Sequence, residues 1–148
     1  LLPGSLLRAY HATGYCWQTD SGWLCVRLGR LQPQADAWMR RAGVTSLGII
    51  SGGNPRSRRL NPAANRRREA ALVFWLRARG LPFLPAEGRP LQPGWKTEPA
   101  VAVPDIHRDR LRWLARRWQQ NAVVYLRIGH PPRLLVTVVR VDARGDSS

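Results

Sequence analysis

The sequence predicts a single α+β domain, with a mixed or mostly antiparallel sheet of about five to six strands packed by three helices. Three observations lead there. The chain has 148 residues, the length of one ordinary domain, and 44% of them are apolar, including seven Trp, enough for one core. β-prone runs flank turn-forming clusters near both ends. Between them lie segments with helical spacing of apolar residues, helix punctuation, or both.

Residues 9–18 and 22–28 read as two strands joined at Thr19-Asp20-Ser21-Gly22. With Asp20 and Ser21 as a two-residue turn, Cys16 falls directly opposite Cys25. In a reducing compartment the two read as buried free thiols, with a disulfide as the alternative, and two Cys are too few for a zinc site. Residues 33–42 read as a short helix, opened by Pro33 and stopped by Gly43. Residues 44–51 then make a buried strand through Val44, Leu47, Ile49 and Ile50. The next helix, residues 61–79, has Asn61 as N-cap, Pro62 as first helical residue and Gly80 as its stop, with Ala64, Ala71, Leu72, Trp75 and Ala78 as the inward stripe.

Six prolines and glycines break every period over residues 81–97, which read as one long surface loop. Residues 98–103 suit a short strand, and Pro104-Asp105 opens a helix with Leu111, Leu114, Ala115 and Trp118 inward and Arg108, Arg112 and Arg116 outward. A second hairpin, residues 121–128 and 133–141, turns at Gly129-His130-Pro131-Pro132. The domain is expected to span residues 1–141, with 142–148 as a frayed tail.

Twenty-three Arg and a single Lys face nine carboxylates, for a formal net charge of +15. GC-rich coding favours Arg over Lys, but it does not account for so few acids, so an anionic partner is expected: nucleic acid, a phosphate-bearing ligand or an acidic protein. No apolar run reaches membrane-spanning length and residues 1–10 lack the form of a leader, so a cytoplasmic setting is the default expectation, with no membrane partner.

The most informative stretch is Ser51-Gly52-Gly53-Asn54-Pro55-Arg56-Ser57-Arg58-Arg59, between the buried strand and a helix entrance. Gly52 and Gly53 let a ligand approach the main chain, and the free N–H groups of the following helix favour negative charge. Arg66-Arg67-Arg68 in the early turns is the oddity. Cations near the positive end of a helix cost a few tenths of a kcal/mol each, and Glu69 offsets only one, so an outside anion is the simplest balance. A solvated basic face is the plain alternative.

Other chemistry is thin. No Gly-Lys-Ser/Thr follows the glycines and no Gly-x-Gly-x-x-Gly occurs, which excludes Walker-type and dinucleotide-binding readings. His11, His107 and His130 have no metal-ligand spacing, Ser57 has no motif-defined base, and no metal or cofactor is expected. Trp95 and Trp113 are the base-stacking candidates, whereas Trp118 fits the core stripe.

Asn54-Pro55-Arg56-Ser57, then Asn65 in a helix, Pro85-Ala86-Glu87-Gly88, Trp95 with Glu98, and Gln120-Asn121-Ala122-Val123-Val124-Tyr125, in this order, resemble the bacterial family numbered 3293 among the domains of unknown function. The resemblance implies no activity. It does imply a cleft built from Asn54, Ser57, Asn65, Glu87, Glu98, Gln120 and Asn121, although capping and turn geometry account for the same residue types. The chain departs from the family pattern at Ser51-Gly52-Gly53, where the family has Thr-Ala-aromatic, at Ala64, where it has Glu, and at Glu98-Pro99-Ala100, where it has Glu-x-Ser. Those departures remove a carboxylate and a hydroxyl from the implied cleft.

The functional expectation is a binding module that engages nucleic acid or another phosphate-bearing partner through Arg56, Arg58, Arg59, Arg66 and Arg67, with Gly52, Gly53, Asn54, Ser57 and Asn65 forming the loop around them and Trp95, Gln120 and Asn121 beside it. One competitor is an enzyme on a nucleotide or small phosphorylated substrate, with Glu87 or Glu98 as base. The other is a basic protein-interaction subunit, such as half of a toxin–antitoxin pair.

Overall fold

A computed structural model describes residues 2–137. The chain runs α1 (Gly4–His11), β1 (Thr13–Thr19), β2 (Gly22–Val26), α2 (Pro33–Ala42), β3 (Ser46–Ile50), a 3-10 turn (Pro55–Ser57), α3 (Pro62–Ala78), β4 (Leu84–Pro90), β5 (Glu98–Pro104), α4 (Arg108–Arg117), β6 (Ala122–Arg127) and β7 (Arg133–Val136). The strands form one sheet in the order β2-β1-β4-β5-β3-β6-β7 with every pairing antiparallel.

Helices cover both faces. Tyr10 of α1 and Ala35 and Met39 of α2 pack with Tyr15, Trp17, Leu47 and Ala102 on one side, while Leu72 and Leu76 of α3 and Leu111 and Leu114 of α4 pack with Ile50, Val101, Val103 and Val123 on the other. Coverage on both sides explains why all five residues of β3 are buried, where an antiparallel strand with one wet face would alternate.

The described residues contain seven strands and four α-helices, against the expected five to six and three. Two segments make the difference. Residues 9–11, expected in the first strand, end α1 instead, and β1 starts only at Thr13. The expected loop over residues 81–97 contains β4, an interior strand paired on both sides. The six prolines and glycines break the alternation that marks a strand, and this segment forms one all the same. Pro85 and Pro99 are second residues of their strands and Pro90 and Pro104 are last ones, where a lost donor matters least. The fourth helix is likewise later than expected: Pro104 closes β5, Asp105 turns with φ 54°, and His107 caps α4 by accepting from Asp109 N–H at 3.2 Å.

Other elements match their sequence signals. α2 occupies residues 33–42 and ends on Gly43 at φ 69°, the left-handed conformation its position requires. The Asn61 side chain accepts from Ala64 N–H at 2.8 Å, and Leu111, Leu114, Ala115 and Trp118 are buried. The α3 stripe is corrected. Leu72 and Leu76 are its buried residues, Trp75 is half-buried, and Ala71 and Ala78 are exposed. Its inward line passes through Asn65, Arg68, Glu69, Leu72 and Leu76, so the face is polar at its start and apolar at its end. The expected strand over 133–141 is observed as Arg133–Val136, and its remainder from 138, with the expected tail, lies outside the described residues.

Cys16 and Cys25 pair across β1 and β2 in the expected register, and they are joined by a disulfide, not left as free thiols. The thiol expectation rested on an assumed compartment. Local geometry was the better guide: directly opposed residues with Cα atoms 4.0 Å apart hold their sulfurs in contact. The bridge closes a hairpin with a sequence separation of 9. Replacing both cysteines with Ala is expected to lower stability by ~2–3 kcal/mol through loop entropy, measured by urea unfolding against the oxidised wild type; unchanged stability contradicts a bridge present in solution.

Candidate functional site

The polar start of the α3 inward face meets three chain ends: the exit of β3, the entrance of β5 and the link from α4 to β6. Gly52 permits the approach. A Cβ there would lie 2.9 Å from the Arg68 carbonyl oxygen and 3.2 Å from Glu69 Cα, both backbone atoms of α3. The chain then turns through left-handed conformations at Asn54 (φ 45°), Arg56 (φ 52°) and Ser57 (φ 61°), and Gln119 (φ 57°) does the same in the facing link. Asn tolerates this region, but for Arg, Ser and Gln it costs about 1–3 kcal/mol each and persists only where neighbours over-determine it.

The neighbours are hydrogen bonds. Asn54 N–H donates to Asn65 Oδ1 at 2.8 Å while Asn65 Nδ2 donates to Asn54 Oδ1 at 2.8 Å, a reciprocal pair between loop and helix. Asn54 Oδ1 also accepts from Leu60 N–H at 3.2 Å, and Asn54 Nδ2 donates to Glu98 Oε1 at 2.6 Å. Across the gap, Arg56 N–H donates to Gln119 O at 2.6 Å, Gln120 Nε2 to Gly53 O at 3.0 Å, and Asn121 Nδ2 to Ser57 Oγ at 2.9 Å. Arg68 ties the two loops together, with Nε donating to Gly52 O at 2.8 Å and Nη2 to Trp118 O at 2.6 Å.

The arginines therefore divide. Arg68 is half-buried and spent on backbone carbonyls, whereas Arg56, Arg58, Arg59, Arg66 and Arg67 are exposed and take part in none of the ion pairs found among the described residues. Those pairs are Arg89–Glu87, Arg112–Asp109 and His107–Asp109. Arg59 lies over the Trp95 ring, 5.6 Å from its centre, and Trp95 is 54% exposed.

The carboxylates also sort differently from the expectation. Glu98 pairs across the ladder with Gly88, so the neighbouring Glu87 projects from the opposite face of the sheet and binds Arg89 Nε at 3.1 Å. Glu87 and Glu98 do not approach as an acid–base pair, because strand alternation separates them. The carboxylate that shares the site with Glu98 is Glu69. Burial pushes its pKa up, the Glu98 charge adds to the rise, and Arg66 opposes it. Burial likewise raises the Tyr10 hydroxyl, against its contact with Ser57, with Glu98 adding to the rise.

Of the residues expected at the site, Gly52, Gly53, Asn54, Ser57, Asn65, Glu98, Gln120 and Asn121 converge in this network, and the five exposed arginines and Trp95 surround it or extend from it. Glu87 does not join it. Trp113 is half exposed but packs its ring against Trp75, with centres 5.7 Å apart on the side of α3 and α4. Tyr10 and Gln119 were missed, and Arg68 and Glu69 were named only as one of the basic run and its local offset. Glu69 and Arg68 were legible only with the helix phase known, and Tyr10 was hidden by the strand expected over it.

A family model described as a protein of unknown function, DUF3293, matches residues 50–123, half of the chain. The chain belongs to this family. DUF3293 residues 50–123 run from the end of β3 into β6 and carry every side chain of the network except Tyr10. No curated protein and no solved structure matches the chain.

Truncating Asn65 to Ala leaves the half-buried Asn54 N–H and Oδ1 short of a partner and is expected to cost about 1–3 kcal/mol, read by urea unfolding, with faster hydrogen exchange at Asn54. A change under about 0.5 kcal/mol, the range of ordinary surface substitutions, would show that the pair does not hold the turn. For Glu69 the sign is opposite to that of a paired carboxylate. Its folded pKa is raised from the ordinary 4.5, so the folded state holds the proton more tightly and stability falls as pH rises from 4.5 through the raised value. Glu69→Gln is expected to match wild type below pH ~4 and to be more stable at pH 7; thermal melts at both pH values test this, and equal melts at pH 7 would refute it.

Proposed function

We propose that this DUF3293 protein binds nucleic acid through the phosphate backbone, with Arg56, Arg58, Arg59, Arg66 and Arg67 as the contacting groups. One observation carries the reading: these five guanidinium groups are exposed and in none of the ion pairs found among the described residues, with Arg56, Arg58 and Arg59 on or just after a turn cross-linked by hydrogen bonds and Arg66 and Arg67 on the start of α3, to which that turn is bonded. Exposed cations of one sign repel one another, and a polyanion relieves that repulsion while releasing its own counterions. A fixed turn adds to this, because less backbone freedom is lost when the anion docks. Trp95, beneath Arg59, supplies an aromatic surface on which an unpaired base would stack.

Backbone contacts of this kind carry little sequence preference. Phosphate-bearing ligands other than nucleic acid, with one or a few charges, would engage only part of the cluster.

With about five phosphate contacts, affinity for a duplex is expected to fall roughly 10²- to 10³-fold between 50 and 200 mM salt. Replacing Arg56, Arg58 and Arg59 together with Gln should lower affinity at least tenfold and flatten the salt slope by about three phosphate equivalents, while leaving the melting temperature near that of wild type. Fluorescence anisotropy with a labelled oligonucleotide measures both. A response to salt that is flat, or a triple variant that binds as wild type does, rejects the proposal.

A further inference from the structure

We propose a second anion site at the opposite end of α4, which takes the phosphate group of a small phosphate ester. It does not rest on the nucleic-acid reading above. α4 is ten residues long, about 15 Å at 1.5 Å per residue. Its carboxyl end meets the Asn54 network, and its amino end opens onto a separate cleft of about 400 Å³ lined by His107, Arg108, Tyr125, Arg127, His130 and Arg133. That volume lies in the range of small-ligand sites.

Among the described residues the lining is five basic groups and one phenol, with no carboxylate. Two parts of the sequence deliver it, the entrance of α4 and the β6–β7 hairpin. His107 and Arg108 come from the start of α4, Arg127 and Tyr125 from β6, and His130 and Arg133 from the β6–β7 turn and β7. Arg133 and Tyr125 are cross-strand partners, with the guanidinium 5.8 Å from the ring centre, so the phenol backs the cation. Carboxylates do stand nearby, and one of them has a partner in the lining itself. Asp109 faces Arg112 and His107, and Asp36 accepts from Gly129 N–H at 3.3 Å, bracing the turn that carries His130. Arg108, Arg127 and Arg133 take part in none of the ion pairs found among the described residues.

His107 is set up as a donor. Its Nδ1 accepts from Asp109 N–H at 3.2 Å, which places the ring proton of the neutral form on Nε2. Planar guanidinium groups pair two N–H bonds with two phosphate oxygens, so Arg127 and Arg133 together can match a dianionic phosphomonoester. A long polymer is the poorer fit for a cleft of this volume, which is why the proposal commits to a small ester.

Isothermal calorimetry with inorganic pyrophosphate, adenosine 5′-monophosphate and adenosine tests it. The two phosphates should bind with one-to-one stoichiometry and adenosine should not. Arg127→Gln with Arg133→Gln should weaken phosphate binding at least tenfold, whereas Arg30→Gln with Arg41→Gln, exposed and outside both arginine clusters, should leave it within twofold. If the double cleft variant does not fold, His130→Ala on the exposed turn replaces it, with an expected loss of at least threefold. The proposal is overturned if neither phosphate binds, if the cleft substitutions change nothing, or if the control substitutions at Arg30 and Arg41 weaken binding equally. An oligonucleotide arm separates the sources: cleft variants that lose only oligonucleotide affinity would assign the cleft to a polymer path and overturn the small-ester assignment.

Discussion

The reciprocal amide pair between Asn54 and Asn65 sets where this chain passes from sheet to helix. It joins a loop residue to the inward face of α3 through two bonds of 2.8 Å, and one of the same amides continues to Glu98 on β5. Without that cross-link the left-handed turn would relax, since Arg56 and Ser57 each cost there about what one net hydrogen bond returns, or more. The turn is held by several bonds at once. What it presents to solvent is consequently set by the half-buried Asn54–Asn65 pair behind it.

This constraint also explains how a chain of such high positive charge keeps an ordered basic surface. The inward face of α3 changes from polar to apolar along its length, from Asn65, Arg68 and Glu69 to Leu72 and Leu76. Arg68 points into the structure, where backbone carbonyls receive it, and its neighbours Arg66 and Arg67 point out. Screening limits the cost of the outward cations to a few tenths of a kcal/mol each, too little to unfold the helix entrance. Stability therefore does not forbid the cluster, and an anion that visits it is bound on a surface already arranged.

Much of the frame was legible in the residues, and the failures share a cause. α2 and the ends of α3 were marked by Pro33, Gly43, Asn61, Pro62 and Gly80, because capping chemistry is local. The Cys16–Cys25 register followed from a two-residue turn. β4 was not legible: its prolines and glycines erase periodicity, and its place between β1 and β5 comes from partners distant in sequence. Most of the hydrogen-bond network was legible as a set of residue types, through Asn54, Ser57, Asn65, Glu98, Gln120 and Asn121. Its division of labour was not. Whether Arg66, Arg67 or Arg68 turns inward depends on the rotation of α3, and its alanines carried too weak a signal to set that rotation. The pairing of Glu98 with Glu69 in place of Glu87 depends on the register of β4, which the proline pattern concealed.

Guanidinium proton exchange, followed site by site by NMR in the free protein and with an oligonucleotide added, examines the inward and outward arginines together. In the free protein the Arg68 Nε–H is predicted to exchange slowly, because it is buried against Gly52 O, while the side chains of Arg56, Arg58, Arg59, Arg66 and Arg67 exchange fast. On titration, those five should slow and shift while Arg68 stays as it was. An Arg68 that exchanges as fast as the others, or that alone responds to the oligonucleotide, would contradict the separation of structural from ligand-facing charge.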